Sequence, residues 1–282
     1  MYSALSPGAI GVQATNIAEA IEAAKVGGFQ GVEFDPEEIA VLIEAAGPTA
    51  VRALFQDARI LPAAFGLPVD WRGTDEDWKA GLARLPRLAE AAAAIGAPRT
   101  NTWIMPCSDE REFAANYEFH VTRLAPVAKI LAEFGCALGL EFIGPKTLWT
   151  SQKYPFIHIM EDMLSMGRAI GPNVGLLLDS YHWYTSHSTV EALRELTPDQ
   201  VVYVHVNDAP LGVAIDDQLD GTRALPGETG VIDIAGFLSA LKAIGYDGPI
   251  TPEPFKKELN DLPSDADRLK TVGACMNKIM GR

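Results

Sequence analysis

Four side chains able to hold a cation close four successive apolar runs: Glu141 in ALGLEFIG, Asp179 in VGLLLDSYH, His205 in VVYVHVND and Glu253 in PITPEPF. One charged residue at the end of an apolar run is ordinary; four in succession point to strand ends that converge. Side chains along a strand alternate between two faces. That alternation puts Glu141 with Ala137 and Gly139, Asp179 with Gly175 and Leu177, His205 with Val201 and Tyr203, and Glu253 with Thr251. The opposite face carries Leu138, Leu140, Leu176, Leu178, Val202, Val204, Val206 and Ile250, as packing against helices requires. All four polar residues therefore face one interior at one end. Three carboxylates and an imidazole aimed into one space repel each other and lose hydration, so they must protonate, pair off or share a cation. A single divalent ion satisfies them together. A set of carboxylate oxygens and one imidazole, without thiolate, suits manganese, magnesium, cobalt or zinc, with manganese the first expectation, and leaves positions open for substrate oxygens. The competing reading is a set of unrelated ion pairs or caps at loop edges.

The elements that must position these residues alternate along the chain. Strands are expected near Tyr2–Leu5, Gly31–Phe34, Ile60–Phe65, Arg99–Trp103, Ala137–Glu141, Val174–Asp179, Val201–Val206 and Pro249–Glu253. Amphipathic helical patterns fall between them: Asn16–Val26, Pro36–Ala46, Thr49–Ala58, Asp75–Ile95, Asp109–Phe134, Phe156–Ile170, Thr189–Leu196 and Ile234–Ile244, with a last one over Ser264–Met280. Alternating βα units imply a parallel sheet. Eight of them in roughly 250 residues imply an α/β fold of the closed (β/α)8, or TIM, barrel type, spanning residues 1–282 as one domain. An open doubly wound sheet is the alternative, and no GxGxxG or GxxxxGK[ST] follows the first strand to support it. Residues Asn207–Val231, rich in Asp, Gly and Pro, form the longest stretch without periodicity. Following the seventh strand, they belong to the face where barrel active sites form.

Composition narrows the function classes. The chain has 282 residues, 48% hydrophobic and 21% charged, with a net charge of −14. That balance disfavours nucleic acid, whose binding rests on clustered Lys and Arg. No apolar run approaches the ~18 residues of a membrane span. The N-terminus lacks the pattern of a secretory signal, so a cytoplasmic location and no membrane partner are expected. Cys107, Cys136 and Cys275 have no CxxC spacing, and Cys136, in an apolar strand, reads as a buried reduced thiol. Self-association into a homo-oligomer stays open.

The set Glu141, Asp179 with His182 in DSYH, His205 in HVND, and Glu253 resembles the xylose isomerase-like TIM-barrel superfamily of sugar isomerases and epimerases. The likeness spans essentially the whole chain and is strongest from Leu138 onward. Within it, HVNDAPLGVAIDDQLDGTRALPGETGVIDI is similar to the inosose isomerase type. The resemblance implies that the metal holds a substrate carbonyl and its neighbouring hydroxyl and stabilises an enediolate, while Glu141 and Glu253 move protons. It implies that His182 contacts a substrate oxygen and that Arg223 orients hydroxyls or an anionic group. Trp103, ending the fourth strand, and Trp71, following the third, either stack on a sugar ring or exclude water at the barrel mouth, or pack in the core. Glu33 and Asn101 are weaker site candidates.

The expected substrate is a small carbohydrate or polyol, such as a ketose or keto-inositol. Isomerisation and epimerisation share their first step with a lyase or dehydratase, so the ligand set alone leaves these outcomes open. The superfamily's DNA-repair branch needs further histidines from earlier strands, and LPAAFGLP and RTNTWIMP contain none. Asp216, Asp217 and Asp220 do not match the spacing of a second metal. A non-catalytic barrel or binding subunit is the reading of another class; the complete ligand set argues against it.

Overall fold

The computed structural model describes residues 1–282. Its strands, in chain order, are β1 (Tyr2–Leu5), β2 (Gly31–Val32), β3 in two halves (Leu61–Pro62 and Phe65–Gly66), β4 (Arg99–Ile104), β5 (Ala137–Phe142), β6 (Val174–Asp179), β7 (Val201–Val206) and β8 (Pro249–Pro252). All pair in parallel, each with its sequence neighbours, and β8 returns to β1. The first half of β3 pairs with β2 and the second with β4. Only Ala63 and Ala64 separate the halves, so both ends of the sheet meet at one strand position and the barrel closes. Pro62 has no N–H to donate to the ladder, and the strand breaks there.

The helices are α1 (Ile17–Gly27), α2 (Pro36–Ala46), α3 (Pro48–Ala58), α4 (Asp75–Ala94), α5 (Phe113–Glu133), α6 (Lys146–Trp149), α7 (Met160–Ile170), α8 (Ser180–Thr185), α9 (Val190–Arg194), α10 (Ile234–Ala243) and α11 (Asp265–Ile279). Side-chain oxygens of Asn16, Asp35, Thr74, Asp233 and Ser264 accept first-turn N–H groups and fix where five of them begin. No helix is long and apolar enough to cross a membrane.

Burial follows the alternation of the strands. Leu138, Leu140, Leu176, Leu178, Val204 and Ile250 join the main apolar core between sheet and helices. Leu177 and Tyr203 instead meet Ala64 in a small separate cluster inside the barrel. The start of β7 is the exception. The register shifts between Val201 and Tyr203, and Val201 packs into the outer core rather than inward. Gly175 lies against this irregularity: a Cβ there would come within 2.6 Å of the Gln200 carbonyl oxygen.

Three expectations need correcting. The helices placed at Asp109 and Phe156 begin at Phe113 and Met160, because the preceding residues form an antiparallel ribbon, Cys107–Ser108 with Tyr154–Pro155. β8 ends at Pro252, leaving Glu253 one residue beyond it. The stretch 207–231 is also more ordered than its lack of periodicity suggests. Asp208 bridges to Ala224, and Ile215–Asp217 forms a 3-10 turn.

Candidate metal centre

Glu141, Asp179, His205 and Glu253 converge at the C-terminal end of β5 to β8. One ligand atom from each lies within 4.8 Å of those of the other three. His205 Nδ1 is 3.4 Å from Glu141 Oε1, 3.4 Å from Glu253 Oε2 and 4.0 Å from Asp179 Oδ2. Strand order puts the two glutamates on the outer strands of the four, with Asp179 and His205 between them. Glu141 Oε1 and His205 Nδ1 are buried and have no hydrogen-bond partner. Unpaired buried polar atoms are costly and rare, and two facing one another across a cluster of carboxylates fit a bound divalent ion.

Asp179 and Glu253 are fixed by their neighbours. Asp179 also caps α8: its Oδ1 accepts the Tyr181 N–H at 2.7 Å, which turns Oδ2 toward the cluster. Asn207, fully buried, donates through Nδ2 to both Asp179 oxygens at 3.2 and 3.1 Å. Its Oδ1 accepts the Glu253 N–H at 2.8 Å, and its own N–H donates to Ser180 Oγ at 2.8 Å. One amide thus ties together the ends of β6, β7 and β8. Below, the Tyr203 hydroxyl donates to Glu33 Oε1 at 2.7 Å and contacts Thr251.

Arg223 reaches back from the long loop into the centre. Its Nη1 donates to Asp179 Oδ2 at 2.7 Å and Glu253 Oε2 at 3.3 Å, and its Nη2 to Asp220 Oδ1 at 2.9 Å. The guanidinium also lies over the Tyr181 and Phe255 rings, at 4.9 and 4.5 Å. Burial opposes its charge, but Asp179, Glu253 and Asp220 outweigh burial and hold it firmly cationic. His182 is fully buried, with Nε2 3.9 Å from Glu141 Oε1 and 3.3 Å from Arg223 Nη2, while its Nδ1 accepts from Gly144 N at 3.3 Å. Burial and the Arg223 charge push its pKa down to about 3, so the ring is neutral.

Electrostatics separate the two glutamates. Burial raises Glu141 to about 7, despite the opposing pull of His205. Burial would raise Glu253 as well, but His205 and Arg223 overcome it and hold that carboxyl below the usual range. Without an ion the pKa values of the two carboxyls are thus pushed apart; a bound divalent cation would lower both.

The structure gathers Glu141, Asp179, His182, His205, Arg223 and Glu253 at one centre. Trp103 stands beside them: it pairs in register with Glu141 on the inward face, and 46% of it is exposed. Two acidic residues of the long loop are otherwise engaged. Asp216 pairs with Lys146 and His187, and Asp220 with Arg223. Sequence reasoning passed over Asn207 and Asp208, although both lie in the HVND run that marked His205. Asp208 accepts four backbone N–H groups, from Ala209, Thr229, Gly230 and Ile232, at 2.8 to 3.0 Å. The signal was available, since buried polar residues directly after an apolar strand need partners.

Comparison with known proteins agrees with this architecture. A family model described as xylose isomerase-like TIM barrel matches residues 21–272. The solved structure of a xylose isomerase domain protein from Alicyclobacillus acidocaldarius superposes with a TM-score of 0.86 at 31% identity, covering 100% of this chain and 98% of that one. A 3-dehydroshikimate dehydratase from Pseudomonas putida is 26% identical over 90% of this chain and 39% of its own length. An inosose isomerase from Bacillus velezensis is 29% identical over 53% of this chain and 50% of its own. The chain thus aligns with half or less of the length of either curated relative. Given the family match over residues 21–272 and the closed eight-stranded sheet, the chain belongs to the xylose isomerase-like TIM barrel family.

Proposed function

We propose that this protein is a divalent-metal-dependent isomerase or epimerase of a keto-sugar or keto-polyol, with Glu141 and Glu253 as its acid–base pair. The observation that carries the reading is their placement: each glutamate holds an oxygen 3.4 Å from His205 Nδ1, on strands that flank the other two ligands. Glu141, Asp179, His205 and Glu253 would hold the ion. Once bound, a divalent ion supplies Lewis-acid polarisation of the substrate carbonyl, which acidifies the neighbouring C–H. One glutamate removes that proton, leaving an enediolate on the substrate. The other returns a proton, to the opposite face in an epimerisation or to the adjacent carbon in an isomerisation. His182 and Arg223 orient substrate oxygens, and Trp103 offers an indole face to the sugar ring. Three unpaired thiols, two of them buried, fit a reducing cytoplasmic setting.

A dehydratase is the second reading. It is supported by the alignment with 3-dehydroshikimate dehydratase, which runs over 90% of this chain, about as far as that with a ketose 3-epimerase from Arthrobacter globiformis, at 87%. From the same enediolate, the C–O bond at the β-carbon breaks, and the hydroxyl leaves as water with the proton of the second glutamate.

Incubation in deuterium oxide with ketoses, inososes and 3-dehydroshikimate tests the reading. The wild type should incorporate deuterium at one carbon next to the carbonyl. Glu141→Gln and Glu253→Gln should each slow turnover by about 10²–10⁴-fold. Full turnover in both variants would sink the proton-transfer assignment.

A further inference from the structure

At the barrel mouth, Arg72 has an unusual setting. It follows β3, and its guanidinium carbon lies 4.0 Å from the centre of the Trp71 ring and 4.1 Å from that of Trp103. The two indoles hold the planar cation between them. Nη2 also donates to the Trp103 carbonyl oxygen and, at 3.4 Å, to Thr102 Oγ1. Thr102 in turn accepts the Trp71 Nε1–H at 3.2 Å, so the clamp is itself braced. Trp71 is buried at 2% exposure, whereas Arg72 and Trp103 open to solvent.

Arg72 makes no salt bridge, a property it shares with Arg52, Arg59, Arg84, Arg168 and Arg282; what sets it apart is the two-indole clamp. Asp70, the nearby acid, is committed to its own turn through the Gly73 N–H at 2.9 Å. The Nε and Nη1 donors of Arg72 have no partner in the protein. Burial lowers its pKa only to about 10, so it is charged at neutral pH. In a chain of net charge −14, this is an immobilised, unpaired cation.

Its position ties it to the centre. Trp103 pairs in register with Glu141, and paired residues on neighbouring strands sit roughly 5 Å apart on the same face. Arg72 therefore stacks on the side chain that neighbours Glu141 in the sheet. Stacking on an aromatic face pre-orients a guanidinium while leaving its N–H edge open, which suits recognition of a planar anion. No lysine or second arginine shares either indole, so the site matches a monoanion better than a phosphate dianion.

We propose that Arg72, clamped between Trp71 and Trp103 beside Glu141, anchors a carboxylate of the substrate, so that this enzyme acts on a carboxylated keto-polyol. This inference rests on the enolising centre proposed above, but binding tests it independently of turnover. The probes are 3-dehydroshikimate and its methyl ester, which share a ring and differ in charge. Binding to metal-loaded protein is followed by quenching of tryptophan fluorescence, and turnover is measured alongside. Wild-type protein should bind the acid at least tenfold more tightly than the ester. Arg72→Met should remove that preference, raising KM for the acid tenfold or more with kcat changed less than about threefold. Arg72→Lys should restore it in part. Ester binding should stay as in wild type in both variants, which also shows that they are folded. Equal binding of acid and ester by wild type, or an Arg72→Met variant that keeps the preference, overturns the proposal. If the acid binds through Arg72 yet neither probe exchanges deuterium or turns over, the carboxylate anchor stands and the enolising assignment fails.

Discussion

Asn207 touches three strand ends of the centre without being one of the four candidate metal ligands. Its amide bonds both Asp179 oxygens, its carbonyl takes the Glu253 N–H, and its backbone N–H bonds Ser180 Oγ. Groups behind metal ligands set their orientation, and losing one typically weakens metal binding 10- to 100-fold. Asn207→Ala would also leave the Glu253 N–H unpaired at a largely buried position, at about 1–3 kcal/mol. The expected result is manganese affinity reduced by that factor and a lower urea midpoint for the chelated protein. Calorimetric titration with manganese is the decisive measurement; unchanged affinity would show that the strands hold Asp179 and Glu253 in place unaided. Arg223 teaches a related lesson. Its loop position was readable, whereas the bonds of its guanidinium to Asp179 and Glu253, and its approach to His182 Nε2 at 3.3 Å, were not. A residue's type and rough location were visible in the chain, while its partners depended on how the loop folds back.

That fold-back is a property of an element, and Asp208 governs it. Four N–H groups from Ala209, Thr229, Gly230 and Ile232 close on its carboxylate, joining the first and last turns of the long loop. Tyr181 grips the middle through Leu219 O at 2.8 Å, and Thr147 through Gln218 O at 2.7 Å. Asp208→Ala should therefore release residues 209–231 while the barrel stays folded. Limited proteolysis should cut the variant within that stretch faster than wild type, and kcat/KM should fall because Arg223 rides on the same loop. Cleavage elsewhere, or no faster cleavage, would contradict this role. The loop also marks where sequence periodicity stops informing. β5, β6 and β7 are six-residue apolar strands, and alternation within them was enough to place Glu141, Asp179 and His205. β2 and the halves of β3 are two residues each, too short for a period to register, and Pro62 interrupts the ladder. The Cys107–Ser108 ribbon exists only because Tyr154–Pro155 lies across from it, a pairing that no local pattern announces. The clamp on Arg72 was hidden for the same reason: Trp71, in the loop after β3, and Trp103, on β4, lie far apart in the chain and meet only when these neighbouring elements pack together.

For the whole molecule, the rim above β3 and β4 is as consequential as the centre it surrounds. Trp71, Phe119, His120 and Phe156 pack together there, with His120 centroids 5.1 Å from Trp71, 5.5 Å from Phe119 and 5.0 Å from Phe156. These rings join the loop after β3 to α5 and to the segment after the ribbon. His120 Nδ1 meets Asn116 O at 2.7 Å, so the neutral ring donates there. Burial drives its pKa from 6.5 to about 4, with Arg72 and Arg111 opposing a further positive charge. The folded state therefore takes up this proton less readily than the unfolded chain. Above pH 6.5 both forms are neutral and the residue adds no pH dependence. As pH falls from 6.5 toward 4 only the unfolded chain gains the proton, and stability declines by up to about 3 kcal/mol. Below pH 4 the contribution levels off. Carboxylates titrate over part of the same range, so the effect is isolated by difference. Urea unfolding of wild type and His120→Gln, which keeps a donor for Asn116 O, should be compared at pH 7.5 and 5. Wild type should lose more stability between the two than the variant, and equal losses would show that the rim tolerates a protonated ring. Because Trp71 also forms one wall of the Arg72 clamp, acid should loosen the mouth of the barrel along with the rim.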